Sequence, residues 1–190
     1  MKATLSQGQE VLKLITQSGI GREDLQELLQ SGELKVLLNK YVDGIKKMLQ
    51  GRYPVLIDYS LPFWKRVKAC QLDDVYDDIT RWEDGVDVSG QVRKELVLLQ
   101  LDCESYDYYL YKMKDYGLRA AKIEELVAFA TQYPEMQKRF EKIVALGTVK
   151  RTFMNDLVAY LACDNNKRVL HFESWKSYWN KDCRFLAVIE

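Results

Sequence analysis

Few residues in this chain have types and spacing that could do chemistry, and they are scattered. The only histidine, His171, lies between Leu170 and Phe172 in an alternating segment, where an imidazole could act as a general base. No serine or cysteine accompanies it at a motif spacing, so a structural strand position is the simpler reading. Cys183 stands before Arg184, a cation able to lower a thiol pKa, but the apolar run that follows suits a small buried hydrophobe. Asp58 and Asp78 could form a carboxylate pair of the glycosidase kind, although nothing in the sequence sets their separation. Residues 73–87 hold seven acids. A calcium loop needs alternating acids, a glycine at its sixth place and a glutamate at its twelfth, and no alignment of this stretch supplies all three; it reads as a solvated acidic loop. Cys70, Cys103, Cys163 and Cys183 are widely spaced, with no Cys-x-x-Cys pair, which argues against zinc and against a disulfide scaffold. No catalytic residue, no metal site and no cofactor is therefore expected.

The composition narrows the class further. At 190 residues and 47% hydrophobic, the chain can bury the core of one ordinary domain with a small extension. Lys+Arg 28 against Asp+Glu 28 removes the sequence-independent attraction to phosphate on which most nucleic-acid binders depend. The first ten residues lack the apolar core of a signal peptide, and no window reaches the ~18 apolar residues of a membrane span. The expectation is a cytoplasmic protein without membrane insertion, with nucleic acid disfavoured as a partner.

The elements that must position these residues follow in order. Residues 1–51 read as a helical module of three amphipathic segments. The first carries Val11, Leu12, Leu14 and Ile15, the second Leu25, Leu28 and Leu29, and the third runs from Leu34 to Leu49. Seven Lys/Arg against six Asp/Glu within it disfavour a helix-turn-helix DNA binder. Gly51-Arg52-Tyr53-Pro54 reads as the boundary, because proline removes a donor and pushes Tyr53 to extended geometry. Beyond it, residues 52–190 read as an α+β domain with a largely antiparallel sheet and two or three packed helices. Strands are expected at 55–59, 92–101, 143–147, 157–163 and 168–172, the last two joined by a tight turn at Asp164-Asn165-Asn166. Helices are expected from Ser105 to Asp115, with Tyr106, Tyr109, Leu110 and Met113 on one face, and from Lys122 to Gln132, burying Ile123, Leu126, Val127 and Ala130. The stretch 63–75 is ambiguous. Five tyrosines between residues 106 and 116 lack the basic excess of a base-stacking platform and suit core packing and a protein-facing surface. The closing Arg184-Phe185-Leu186-Ala187-Val188-Ile189 is apolar on both faces, the mark of a central strand covered on both sides. Trp175, Phe185 and Leu186 are the expected core residues around it.

Several segments together carry a resemblance. They are residues 118–126, Tyr133-Pro134-Glu135-Met136-Gln137, Ile143-Val144-Ala145-Leu146-Gly147, and Trp175 and Trp179 before Cys183-Arg184-Phe185-Leu186-Ala187-Val188. They resemble a family of short uncharacterised bacterial proteins encoded by uncultivated, small-genome bacteria, over roughly residues 55–190. Membership implies no activity. Where that pattern has proline and threonine, this chain has Ala120 and Lys122, so a less sharply defined helix start is expected; where it ends on a basic pair, Ile189-Glu190 stand here. More distantly, the closing strand reached through a tryptophan-bearing loop looks like the ending of C-type-lectin-like folds, which implies a binding scaffold with variable loops. The expected binding residues are then Asn165, Asn166, Lys176, Tyr178, Asn180 and Lys181, polar and aromatic side chains on loops braced by strands. The function this suggests is a non-enzymatic binding or interaction protein with a protein partner. The alternative is a hydrolase or nucleic-acid-associated factor whose site forms only on folding.

Overall fold

The two-faced apolar pattern of residues 184–189 becomes the strand on which the sheet is assembled. The computed structural model describes residues 17, 19–36, 49–82, 89–100, 106–177 and 179–190. In chain order they form α1 (Arg22–Gln30), β1 (Leu49–Asp58), α2 (Phe63–Ala69), β2 (Asp74–Val75), α3 (Asp77–Thr80), β3 (Gln91–Leu99), α4 (Tyr106–Asp115), β4 (Leu118–Ala120), α5 (Ile123–Gln132), a 3-10 turn (Pro134–Lys138), β5 (Ile143–Arg151), β6 (Asp156–Asp164), β7 (Lys167–Ser174) and β8 (Arg184–Ile189). The chain divides into two compact units, Met1–Lys47 and Met48–Glu190. In the first, α1 is opened by Gly21, whose N–H donates to the Asp24 carboxylate at 3.1 Å. The first helical segment expected from the sequence, and residues 37–48 of the third, lie outside the described residues.

The second unit is an α+β domain with an eight-stranded, mostly antiparallel sheet in the order β1-β3-β8-β5-β6-β7-β2, with β4 also pairing with β8. β8 is hydrogen-bonded along both edges, to β3 on one side and to β5 and then β4 on the other. Leu186 and Val188 face the layer of α5 and α2, where Ile123, Leu126, Phe129, Phe63 and Val67 are buried. Phe185 and Ala187 face α4 and the β7–β8 loop, where Tyr109, Met113 and Trp179 are buried. Of the three expected core residues, Phe185 and Leu186 are buried. Trp175 is only half-buried at the edge of that layer, and Trp179 takes the interior place.

Two expectations change at the start of this unit. Leu49, assigned to the third helix, opens β1, and Gly51-Arg52-Tyr53-Pro54 lies within that strand, Gly51 inside a register shift between Leu49 and Arg52 and the rest beyond it. The physical reason is an edge. Tyr53, Val55 and Ile57 share the bonded parity set by the Tyr59 N–H to Gly90 carbonyl bond, so Pro54 and Leu56 point away from β3. A proline on the open side of an edge strand loses no ladder bond and blunts the edge. Gln132 from α5 caps the same edge, accepting from the Leu56 N–H at 3.0 Å and donating to its carbonyl at 2.9 Å, while the Tyr133 hydroxyl donates to the Pro54 carbonyl. The ambiguous stretch 63–75 resolves into α2 and β2.

The start of α5 is sharp without a threonine at position 122. Glu125, buried, accepts the Lys122 N–H at 2.7 Å and receives both guanidinium Nη groups of Arg119, and Thr148 Oγ1 accepts the Ile123 N–H at 3.1 Å. Arg119 also meets the Glu190 carboxylate at 3.6 Å, so the residue standing in place of a basic pair has an internal partner. Ser105, expected to cap α4, lies outside the described residues.

Arg168 ties the α5 layer to the sheet. Its Nε donates to Gln137 Oε1, Nη1 to the Cys70 carbonyl and Nη2 to the Ala130 carbonyl, each at 2.8 Å. Buried Gln137 passes the connection on to the Ala162 and Val169 carbonyls. One planar fork thus satisfies the ends of α2 and α5 and the 3-10 turn together, a geometry that lysine cannot reproduce. Arg168→Leu strands these acceptors and is expected to cost about 2–4 kcal/mol in chemical denaturation, with Arg168→Lys recovering little of it. A loss under about 0.5 kcal/mol would show that water replaces the clamp without penalty.

Candidate binding cleft

Asn165 and Asn166 take left-handed φ values of 48° and 64°, the two-residue turn suited to a right-twisted hairpin. That turn fixes the register of β6 against β7: Asp164 opposite Lys167, Ala162 opposite Val169 and Tyr160 opposite His171. Leu161 and Leu170, of the other parity, are fully buried beneath the sheet. The polar parity therefore faces outward and floors an open cleft of about 790 Å³. Asp73 and Asp74 wall it from β2, Glu141 and Lys142 from the approach to β5, and Asn165 sits at its rim.

The side chains within it are largely engaged with one another. His171 Nε2 lies 2.7 Å from Asp74 Oδ2, with the Tyr160 ring 6.3 Å away on the opposite strand. Asp73 accepts the Arg168 N–H at 2.7 Å. Lys142 pairs with Glu173 and stands 5.1 Å from the Tyr160 ring and 5.7 Å from the Trp179 ring. Desolvation pulls the Lys142 pKa down, but the hydrogen bond and charge of Glu173 outweigh it and the net shift is upward. Burial pushes the Tyr160 phenol up, with Lys142 opposing. Neither group is prepared to exchange protons near neutral pH.

The structure separates the expected binding residues into groups. Asn165 and Asn166 are exposed at the β6–β7 turn. Asn180 comes to the same end of the sheet. It donates to the Glu141 carboxylate while its Oδ1 accepts the Asp182 N–H at 2.8 Å, so its amide holds the loop together. Lys181 is exposed beside it, its carbonyl accepting from Arg184 at 2.7 Å. Lys176 follows the opposite end of β7, with its ammonium 5.4 Å from the Trp175 ring. Tyr178 lies outside the described residues.

The chemical candidates fare as follows. His171 is in the cleft and oriented by Asp74, yet among the described residues no hydroxyl or thiol is hydrogen-bonded to it. Cys183 is buried beside Trp179 and Phe185, and burial with the nearby Glu141 charge pushes its thiol up, the opposite of an activated thiolate. Asp58 is held by Ser60 and Gln91, whereas Asp78 pairs with Lys150, so the two carboxylates serve different partners. Within the acidic stretch, Asp73, Asp74 and Asp78 are each tied to a basic residue's N–H or side chain, and residues 83–88 lie outside the described residues.

Sequence reasoning passed over Tyr160 and Lys167, although a signal for them existed. The Asn-Asn turn sets the register, and period-2 alternation then puts both on the face of His171. Asp74 and Lys142 gave no such signal, because they reach the cleft from elements distant in sequence. Among the described residues no helix is long and apolar enough to cross a membrane. No protein-family model, curated protein or solved structure matches the chain.

Proposed function

We propose that this protein is a non-enzymatic binding protein whose cleft receives a segment of a protein partner. The observation that carries this reading is a cleft of about 790 Å³ rimmed by the Asn165-Asn166 turn, in which the one imidazole is paired with Asp74 and, among the described residues, has no hydroxyl or thiol hydrogen-bonded to it, the Cys163 thiol lining the same cleft included. Rigid strands beneath an exposed turn let the turn contact a partner without loss of stability. The partner segment is basic: Asp73, Asp74, Glu141 and Asp164 outnumber Lys142 and Lys167 along the lining, and Lys142 is already neutralised by Glu173. The hydrolase alternative draws on the His171–Asp74 pair, which orients an imidazole as a general base does.

The test uses a partner captured by pull-down and then purified. Asp164→Asn combined with Asn165→Gly, which keeps the left-handed turn, is expected to weaken binding about tenfold or more and to leave the melting temperature unchanged. Raising the salt concentration should weaken the wild-type complex in parallel. Unchanged affinity in the folded double variant would move the contact surface elsewhere.

A further inference from the structure

We propose that the segment received by the cleft is an extended peptide with two basic residues four positions apart, lying across the strands from β5 to β2, an assignment that rests on the cleft being the binding site. The floor follows from the register. Ala162 stands opposite Val169, and Val169 in turn opposite Asp74 of β2, so one cross-strand row carries two small, half-buried apolar side chains. The next row on the same face is aromatic. Tyr160 stands opposite His171 with their rings 6.3 Å apart, and the Tyr76 N–H donates to the Leu170 carbonyl at 3.0 Å, which brings the Tyr76 ring to 6.1 Å from the imidazole. On the other side of the floor, Asp164 and Lys167 face each other beside the turn, and their opposite charges offset. A low row between an aromatic ridge and a polar turn is a channel, and it runs perpendicular to the strands.

The acids of the channel stand at its two ends, Asp73 and Asp74 on the β2 side and Glu141 on the β5 side. Asp73 accepts the Arg168 N–H, Asp74 meets His171 and Glu141 accepts from Asn180, each through one carboxylate oxygen. An ionised carboxylate accepts through both oxygens, so these bonds orient the groups toward a ligand without using them up. Lys142 would oppose a cation at the β5 end. Its ammonium is instead drawn to Glu173, one row beyond Tyr160, and so leaves the floor clear. In the order β5-β6-β7-β2, three strand spacings separate the ends, on the order of 14 Å. An extended chain rises ~3.3 Å per residue, so side chains four residues apart on one face reach both ends. In a helix, residues four apart lie only ~6 Å from each other and span less than half of it. The aliphatic stems of the basic side chains have the Tyr160 ring to lie against.

Other occupants are less well matched. Acids at both ends repel a phosphate backbone. A free polyamine shares the charge spacing, but it lacks the amide groups that the Asn165 side chain at the rim is suited to bond.

The test is an NMR titration of the full chain with two end-blocked pentapeptides of equal composition, Lys-Ala-Ser-Ala-Lys and Ala-Lys-Lys-Ser-Ala. The first is expected to bind with a Kd below about 1 mM and to shift the amides of Ala162 and Val169, and the second to bind about fivefold more weakly. Glu141→Gln, which can still accept from Asn180, should bring the first peptide down to the affinity of the second. Ala162→Leu raises the floor and should weaken the first peptide about tenfold, with the melting temperature unchanged because that side chain faces the cleft. Equal affinity of the two peptides for the wild-type chain, or a spacing preference that survives Glu141→Gln, overturns the proposal. So does spermidine bound as tightly as the spaced peptide, which would assign the channel to a free polyamine. Peptides that fail while the purified partner still responds to the Asp164–Asn165 double variant sink this inference alone. A partner indifferent both to that variant and to Ala162→Leu sinks the cleft as the binding site as well.

Discussion

Phe185→Ala is expected to lower the unfolding free energy by about 3–5 kcal/mol. Phe185 is the second residue of β8, 1% exposed, with its ring centroid 4.2 Å from that of Tyr109 and 6.1 Å from that of Trp179. Truncation removes the ring that joins α4 and the β7–β8 loop to the sheet. Little can collapse into the space, because the strand is fixed at both edges by β3 and by β5. Against a typical total of 5–15 kcal/mol, a loss of this size leaves the variant partly unfolded near 37 °C. Phe185→Leu, which keeps most of the volume, should cost much less and separates cavity formation from any special demand for an aromatic ring. A loss below about 1 kcal/mol by chemical denaturation would place Phe185 outside the core.

Gly147→Ala adds one methyl group and is expected to cost about 3 kcal/mol or more. The reason is space. A Cβ on Gly147 would lie 2.6 Å from the Ala120 carbonyl oxygen and 2.7 Å from that of Ala121, both main-chain atoms. The Gly147 N–H donates to the Ala121 carbonyl at 2.8 Å, so the irregular stretch of β5 between Ala145 and Val149 is seated directly on the β4–α5 junction. Accommodating a methyl group means parting two backbone segments, which also disturbs the bond from the Ile123 N–H to Thr148 Oγ1 that opens α5. Reduced protection of the first α5 amides in hydrogen exchange would locate the damage there. Wild-type stability in the folded variant would show that the junction gives way freely and is not the docking point described.

These expectations sort the chain by what local sequence can specify. The central strand at β8 was legible because apolar residues on both faces have no stable place at an edge. The hairpin of β6 and β7 was legible because paired asparagines accept the left-handed backbone that a two-residue turn requires. In α5 the expected Ile123, Leu126, Val127 and Ala130 are in the core, but Glu124, Glu125, Ala128 and Phe129 between them are buried as well, so the 3.6-residue period showed one face of a helix that the tertiary structure covers all round. Pro54 was legible only as a punctuation mark. Whether it ends a unit or blunts a sheet edge depends on which side of β1 has a neighbour, and β3 is some forty residues further on. The same limit governs the cleft. Asn165, Asn166 and His171 belong to one hairpin, so alternation and turn chemistry could place them, whereas Asp74 and Lys142 reach the same cleft through strands paired far apart in sequence. Trp175 and Trp179 have equal hydrophobicity and share one loop, and the path of that loop across the sheet alone decided that Trp179 is the buried one. Residue type and spacing determined which segments could be strand, helix or turn, since those preferences act over a few bonds. Strand order decided which side chains meet, because such meetings depend on contacts between distant segments that no local pattern encodes.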